Sequence, residues 1–253
     1  MKKTAIAAAI SLGLMAASAS QADTVLGLYA GAGQWQSELS GDVGVTDTDF
    51  SSLGFDDENN NMFYLALEHP VPGIPNVLVK HTDLSTTGNA TLQGNVQFDN
   101  VVFPAGTSLA TDIDITHTDA TFYYEVLDNW INLDLGLTAR QYSGELTASN
   151  NDVVPLSETV DLDVVIPLVY VKGQIDLPFT GFSVKGEANA IGYSGDSISD
   201  ISAAIAWQDD FLVVFDLGIE LGYRRMNLEI DDLGDLQTDL TIDGPYLSLN
   251  AHF

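Results

Sequence analysis

The chain has 253 residues, no cysteine and a formal net charge of −28 at pH 7. So large a negative charge excludes direct binding to nucleic acid or to an anionic surface, because either would repel the protein. The lack of cysteine excludes disulfide bonds as a source of stability.

The N-terminus has the pattern of a secretory signal peptide. Two lysines precede an uncharged, largely apolar stretch at 4–17, and small residues follow up to Ala22. A helix needs about 20 apolar residues to span a membrane, so this stretch is too short for an anchor. We predict cleavage after Ala22, with Ala19 as the alternative, and a single β-barrel domain at 23–253. Loss of the two lysines would take the net charge from −28 to −30.

Beyond this segment, apolar and polar residues alternate with a period of two, which is the pattern of β-strands. In INLDLGLTARQY, for example, Leu133, Leu135 and Leu137 share one face, and Asp134 and Arg140 share the other. Several segments run about ten residues or more, which is long for a sandwich strand and suits a tilted membrane strand. The predicted strands lie near 24–36, 61–69, 77–85, 112–126, 131–142, 164–175, 182–192, 200–207, 211–224 and 241–253.

The connections between these strands alternate between short and long. The short ones are 69–76, 127–130, 176–181 and 208–210. The long ones are 36–61, 85–111 and 143–163, with shorter ones at 193–199 and 225–240. Short periplasmic turns and long outer loops are typical of outer-membrane barrels, and acidic side chains concentrate in the long loops.

These patterns predict an all-β fold, an antiparallel up-and-down transmembrane β-barrel of about ten strands. Eight or twelve strands are alternatives. The segment 90–98 is either a further strand or, as we prefer, an extracellular hairpin. Trp130 and Trp207 adjoin short turns, as expected for aromatic girdles at a membrane interface.

The last predicted strand ends in Phe253, with Leu247 and Leu249 on the same face. A terminal aromatic residue on an alternating strand resembles the signal that the outer-membrane assembly machinery recognises. The segments ATFYYEVLDNWINLDLGL, LPFTGFSVKGEA, IELGYRRMNLEID and DGPYLSLNAHF together resemble a proteobacterial family of small outer-membrane β-barrel proteins. That resemblance implies the fold and an outer-membrane location, and it implies no activity.

Charged residues on the polar face of the strands are expected to line the barrel interior. We predict a network of ion pairs there, formed by Arg140, Lys172, Lys185, Arg224, Asp134, Glu187, Asp216 and Glu220. Glu125 and Glu68 are expected on the same face. A barrel of about ten strands has a narrow interior, where an unpaired charge would cost several kcal/mol. The pairs either plug the lumen, which we favour, or line a narrow path for an ion or solute.

The tripeptide His-Thr-Asp occurs twice, with His81 and Asp83 in one copy and His117 and Asp119 in the other. A histidine and an acid two residues apart share a strand face and could act as base and orienting group. Alternation points His117 and Asp119 inward. In the first copy either Lys80 or His81 points inward, unless a β-bulge intervenes. These four are weak catalytic candidates, and they support the alternative of a rim-site hydrolase that cleaves peptides or modifies lipid A.

Clustered carboxylates in the long loops, such as Asp56, Asp57 and Glu58, are weak candidates for holding Ca²⁺ or Mg²⁺. The spacing matches no EF-hand loop, so a solvated surface is the preferred interpretation. We therefore expect a monomeric, non-enzymatic outer-membrane barrel without a cofactor, with a structural or narrow-channel role. The expected partners are the assembly machinery and outer-membrane lipids and lipopolysaccharide, bridged by divalent cations.

Overall fold

A computed structural model describes residues 26–43, 48–98, 101–128, 130–150, 155–193, 195–212, 215–233 and 236–253. The predicted signal peptide lies outside these residues. Among them, no helix is long and apolar enough to cross a membrane.

Fifteen strands and a single 3-10 turn at Phe50–Leu53 form within the described residues. The strands are β1 (Gly27–Val43), β2 (Thr48–Asp49), β3 (Glu58–Glu68), β4 (Asn76–Thr82), β5 (Ser85–Thr91), β6 (Val96–Phe98), β7 (Val101–Phe103), β8 (Ser108–Asp114), β9 (His117–Leu127), β10 (Ile131–Asn150), β11 (Ser157–Asp176), β12 (Phe182–Tyr193), β13 (Asp196–Leu212), β14 (Phe215–Leu233) and β15 (Leu236–His252).

Ten of these strands close into an antiparallel barrel. The order is β11-β12-β13-β14-β15-β1-β3-β4-β9-β10, and pairing of β10 with β11 completes the ring. The first and last strands of the chain meet at a seam, where Leu28 and Phe253 exchange two backbone hydrogen bonds of 2.9 and 3.2 Å. Closure leaves the ring without a free edge, which satisfies the backbone polar groups. The predicted fold class and the count of ten are confirmed.

The two faces of the wall differ as alternation requires. Outward-facing apolar side chains remain open to the surroundings, for example Leu137 at 64%, Leu221 at 63% and Leu249 at 64% exposed. Inward-facing residues such as Arg140 and Tyr170 are buried. The barrel is therefore apolar outside and largely polar within its middle.

Two of the expected loops are instead continuations of paired strands. Residues 143–163 are largely taken up by β10 and β11, with Thr147 opposite Thr159. Residues 225–240 are largely taken up by β14 and β15, with Glu229 opposite Asp239. Alternation continues where the side chains of these segments are described: Asp161, Asp163 and Glu229 are exposed on the outer face, and Leu162 and Leu228 on the inner face pack into the core.

The segment between β4 and β9 also extends the barrel wall at the long-loop end. β5 follows β4 and pairs with β8, and β8 pairs with the upper part of β10. Residues 90–91 end β5, whereas Val96–Phe98 forms β6, which pairs with β7 in a separate two-stranded sheet. The segment 90–98 is therefore one arm of a longer hairpin at the long-loop end, and it adds no strand to the ring.

An apolar core fills the long-loop end of the barrel. It contains side chains from the walls and from the two excursions that follow β1 and β4. Its buried members include Trp35, Leu53, Leu84, Leu92, Phe98, Phe103, Leu109, Ile113, Ile115, Tyr142, Met226, Leu228 and Ile242. The excursions thus supply a seal over the barrel interior.

Candidate functional site

Below the apolar core, Arg140 on β10 holds two aspartates inside the barrel. Its Nε and Nη2 donate to the two carboxylate oxygens of Asp119 on β9, each over 2.7 Å. Nη2 also donates to Asp200 Oδ2 on β13 over 2.6 Å. All three side chains are buried. The contact with Asp119 is the bidentate geometry that gives arginine its strongest carboxylate pairs.

Arg224 on β14 approaches the same Asp200 from the neighbouring strand. Its Nε and Nη2 donate to Asp200 Oδ1 and Oδ2 over 2.8 and 2.7 Å. Its Nη1 donates to Thr82 Oγ1 over 3.1 Å, and its guanidinium lies 4.6 Å from the centre of the Trp35 ring. The second arginine is thereby held between a carboxylate and the base of the apolar core.

His117 accepts a hydrogen bond from Arg224. Its Nδ1 lies 3.0 Å from the carbonyl of Ile115, so that nitrogen carries the proton. Its Nε2 then accepts from Arg224 Nη2 at 3.3 Å. A neutral imidazole avoids a third positive charge beside the two arginines.

We name Asp119, Arg140, Asp200 and Arg224 the arginine network. It has two positive and two negative groups and so no net charge. It draws on β9, β10, β13 and β14, and so reaches across the lumen rather than along one wall. Removing one member of a buried pair is strongly destabilising, by about 3–5 kcal/mol, because the partner charge stays buried.

A cavity of about 270 Å³, here named the vestibule, lies on the other side of the network from the apolar core. Asp200 and Arg224 lie at its inner end, whereas Asp128 follows the end of β9 and Asp216 lies at the start of β14. Gln208, which also lines the cavity, lies within β13, because this strand continues through the predicted short turn at 208–210 to Leu212. The vestibule therefore runs from the arginine network to the short-turn end of the barrel.

Three lysines in the vestibule each contact a carboxylate on another strand. Lys172 Nζ donates to Asp134 Oδ2 and Lys185 Nζ donates to Glu220 Oε2, both over 3.0 Å. The third pair is Lys80 with Glu187. Lys80 is on β4 and Glu187 on β12, so this pair also crosses the lumen.

Three further acids of the vestibule, Glu68, Glu125 and Asp216, accept hydrogen bonds from uncharged side chains. The Tyr123 hydroxyl donates to Glu68 Oε1 over 2.7 Å. Asn76 Nδ2 donates to Glu125 Oε2 over 3.2 Å. Asp216 accepts from Gln208 Nε2 over 3.2 Å and lies 3.5 Å from His252 Nδ1.

All eight residues of the predicted ion-pair network face the barrel interior. The structure brings Lys172 together with Asp134 and Lys185 together with Glu220. It does not bring Asp216 to a lysine or arginine within the described residues; this carboxylate lies beside Gln208 and His252. Charged members that sequence reasoning left out of the network are Asp119, Asp200 and Lys80. Asp200 and Ser202 are two residues apart on β13 and so share its inward face. This strand periodicity could have predicted that Asp200 points into the barrel.

The two His-Thr-Asp copies lie on opposite faces of the wall. Lys80 points inward, so His81 and Asp83 face outward, where His81 Nε2 lies 3.0 Å from Asp83 Oδ1. Pairing of β4 with both neighbours is regular at this point, so no β-bulge intervenes. His117 and Asp119 face inward and are engaged by the arginines and by Ile115. The copies do not form one site, and the inward copy fixes a charge network.

The acidic loop residues do not converge. Asp56 and Asp57 are exposed and Glu58 is partly buried. Among the described residues, the group of candidate ligands whose atoms lie within 4.8 Å of one another is His117, Asp119 and Asp200. Because the two arginine guanidinium groups already occupy the carboxylates of that group, the arrangement disfavours a metal ion.

No protein-family model matches the chain, and no curated protein matches it. Among solved structures, the chain is similar to a channel described as the CymD monoaromatic hydrocarbon channel, with 9% identity and a TM-score of 0.33 over 93% of this chain and 90% of that one. It is also similar to the toluene transporter TodX of P. putida, with 8% identity and a TM-score of 0.28 over 93% of this chain and 91% of that one. Both scores are low, so no argument about function rests on these likenesses.

Proposed function

We propose that this chain is an integral outer-membrane β-barrel protein whose lumen is closed in its resting form. The arginine network is the observation that carries this proposal. It joins strands from separate parts of the ring with buried, short contacts, and the apolar core lies above it. Among the described residues, buried apolar side chains such as Trp35, Met226 and Ile242 occupy the interior beyond the arginine network, where an ion would lose its polar contacts.

The outer surface supports the membrane location. Apolar side chains such as Leu65, Leu137 and Leu249 stay exposed on the wall of a closed barrel. Trp130 and Trp207 are also exposed and lie at the short-turn end, where an aromatic girdle belongs. We assign the short-turn end to the periplasm and the long-loop end to the outside. We also propose membership of the proteobacterial family of small outer-membrane barrels, which rests on the segments quoted above.

The partners proposed are outer-membrane lipids and lipopolysaccharide, reached through divalent cations, and the assembly machinery at the C-terminal strand. The exposed acids Asp56 and Asp57 support the cation bridge, and the outward-facing Leu247 and Leu249 support the assembly signal. In this proposal the protein is a monomer and has no catalytic role.

Conductance tests the proposal. Refolded protein inserted into a planar bilayer should show little steady current, because the network and the core close the lumen together. A steady open pore in the unmodified protein would contradict the closed lumen. Lipid A from a deletion strain should keep its mass, whereas a changed mass would favour the hydrolase alternative.

A further inference from the structure

The vestibule has a large excess of negative charge within a largely enclosed space. Its lining holds eight carboxylates and four basic groups, an excess of four negative charges. The four basic groups are already paired with carboxylates. The excess negative charge comes from carboxylates whose partners are uncharged, such as Glu68 beside Tyr123 and Glu125 beside Asn76. Low-dielectric walls concentrate such a field and raise the local concentration of cations.

Tyrosine rings form much of the rest of the lining. Tyr64 lies across Gly31 of the neighbouring strand, and Tyr246 lies across Gly222 in the same way, because a Cβ on either glycine would collide with the ring. Both tyrosines cover a glycine on the next strand and also line the cavity, so their rings form part of its wall. The face of an aromatic ring attracts cations.

One tyrosine hydroxyl is also left free. Tyr170 is 1% exposed and lines the vestibule, and no described residue hydrogen-bonds to its hydroxyl. Buried polar groups are almost always paired. A hydroxyl that faces the cavity in this state is available to hydrogen-bond a polar group of a ligand.

We propose that the vestibule binds a small organic cation that enters from the short-turn end. A divalent metal fits less well, because it needs several oxygens close together, and the described acids of the vestibule do not form a group with ligand atoms within 4.8 Å of one another. Ring faces with dispersed carboxylates instead suit a soft, bulky ammonium group. A cavity of about 270 Å³ has room for one such molecule. This binding does not depend on whether the lumen is closed.

The test is calorimetric titration of refolded protein in a nonionic detergent with choline. The neutral isostere 3,3-dimethylbutan-1-ol is the matched probe. Choline should bind, the isostere should bind at least about tenfold more weakly, and added salt should weaken choline binding. At pH 9, where the Glu125 carboxyl is ionised, Glu125→Gln should weaken choline binding by about threefold or more, because it removes one negative charge from the vestibule. Glu145→Gln makes the same change on an exposed position outside the vestibule and should have no effect.

Tyr170→Phe provides a second variant that keeps the ring. It should weaken choline binding by roughly threefold through loss of the free hydroxyl. Equal binding of choline and its isostere would overturn the proposal. So would equal affinities in Glu125→Gln and Glu145→Gln, or binding of Ca²⁺ without binding of choline. Because the readout is binding in detergent, its failure leaves the conductance result untouched.

Discussion

Arg140 and Asp200 meet inside the barrel at 2.6 Å although two strands, β11 and β12, separate them along the wall. The contact therefore spans the lumen and does not follow a strand ladder. Asp200 also accepts from Arg224, so one carboxylate ties two arginines together. Loss of this carboxylate would leave both guanidinium groups short of a partner.

We expect Asp200→Asn to lower the free energy of unfolding by about 3–5 kcal/mol, because the two buried arginines would lose their shared counter-charge. Urea unfolding in lipid vesicles, followed by the change in gel mobility on heating, would measure this. Asp163→Asn is the matched control, since Asp163 is exposed on the outer face. Similar stabilities of the two variants would show that the arginine network contributes little.

The inward direction of the network residues could be predicted from sequence, and their partners could not. Strand periodicity is two, so placing Leu135 and Leu137 outside is enough to place Asp134 and Arg140 inside. The partner of Arg140 depends on ring closure and on the relative height of strands far apart in the chain. Alternation does not contain that information, so the pairing of Arg140 with Asp200 could not be predicted.

The seal above the network was missed for a different reason. Acidic composition indicated loops at 143–163 and 225–240, yet the buried residues Ala148, Leu228 and Leu240 continue the inward faces of β10, β14 and β15 without a change of period. What changes is the polarity of the inward face, from charged to apolar. Because alternation persists through these acidic segments, the sequence did contain a signal that the barrel strands are longer than predicted.

Substitution of Phe103 tests whether the apolar core at the long-loop end is tightly packed. Phe103 is fully buried in the apolar core, and its neighbour Val102 is 50% exposed. Phe103→Ala should destabilise the barrel by about 3–5 kcal/mol, because a large cavity would open in the core. Val102→Ala should change stability little. Thermal or urea unfolding would compare the two, and equal effects would argue against a packed seal at the long-loop end.

The fit of tyrosine over glycine can be tested with a single methyl group. A Cβ at position 31 would collide with the Tyr64 ring, so Gly31→Ala should cost about 1–3 kcal/mol of stability. At Gly173 no heavy atom lies within 4 Å of the added Cβ. Gly173→Ala is therefore the control, and unfolding in urea is the measurement. A stable Gly31→Ala variant would mean that the ring does not lie against the wall.

The three tryptophans report on membrane placement. Trp130 and Trp207 are 59% and 40% exposed, whereas Trp35 is fully buried and donates to the carbonyl of Gly244 over 3.2 Å. In variants that keep one tryptophan each, brominated lipid should quench Trp130 and Trp207 and leave Trp35 largely unquenched. Strong quenching of Trp35, or none of the other two, would contradict the assigned outer face.

Single-channel recording on the refolded protein tests the closed lumen most directly. A suitable open reference is a variant that lacks residues 85–114 and carries Ser in place of Asp119, Arg140, Asp200 and Arg224. The unmodified protein should insert without steady conductance, and the reference should conduct, because it lacks the arginine network and the part of the apolar core that residues 85–114 supply. A steady open level in the unmodified protein, at a size close to that of the reference, would contradict the account.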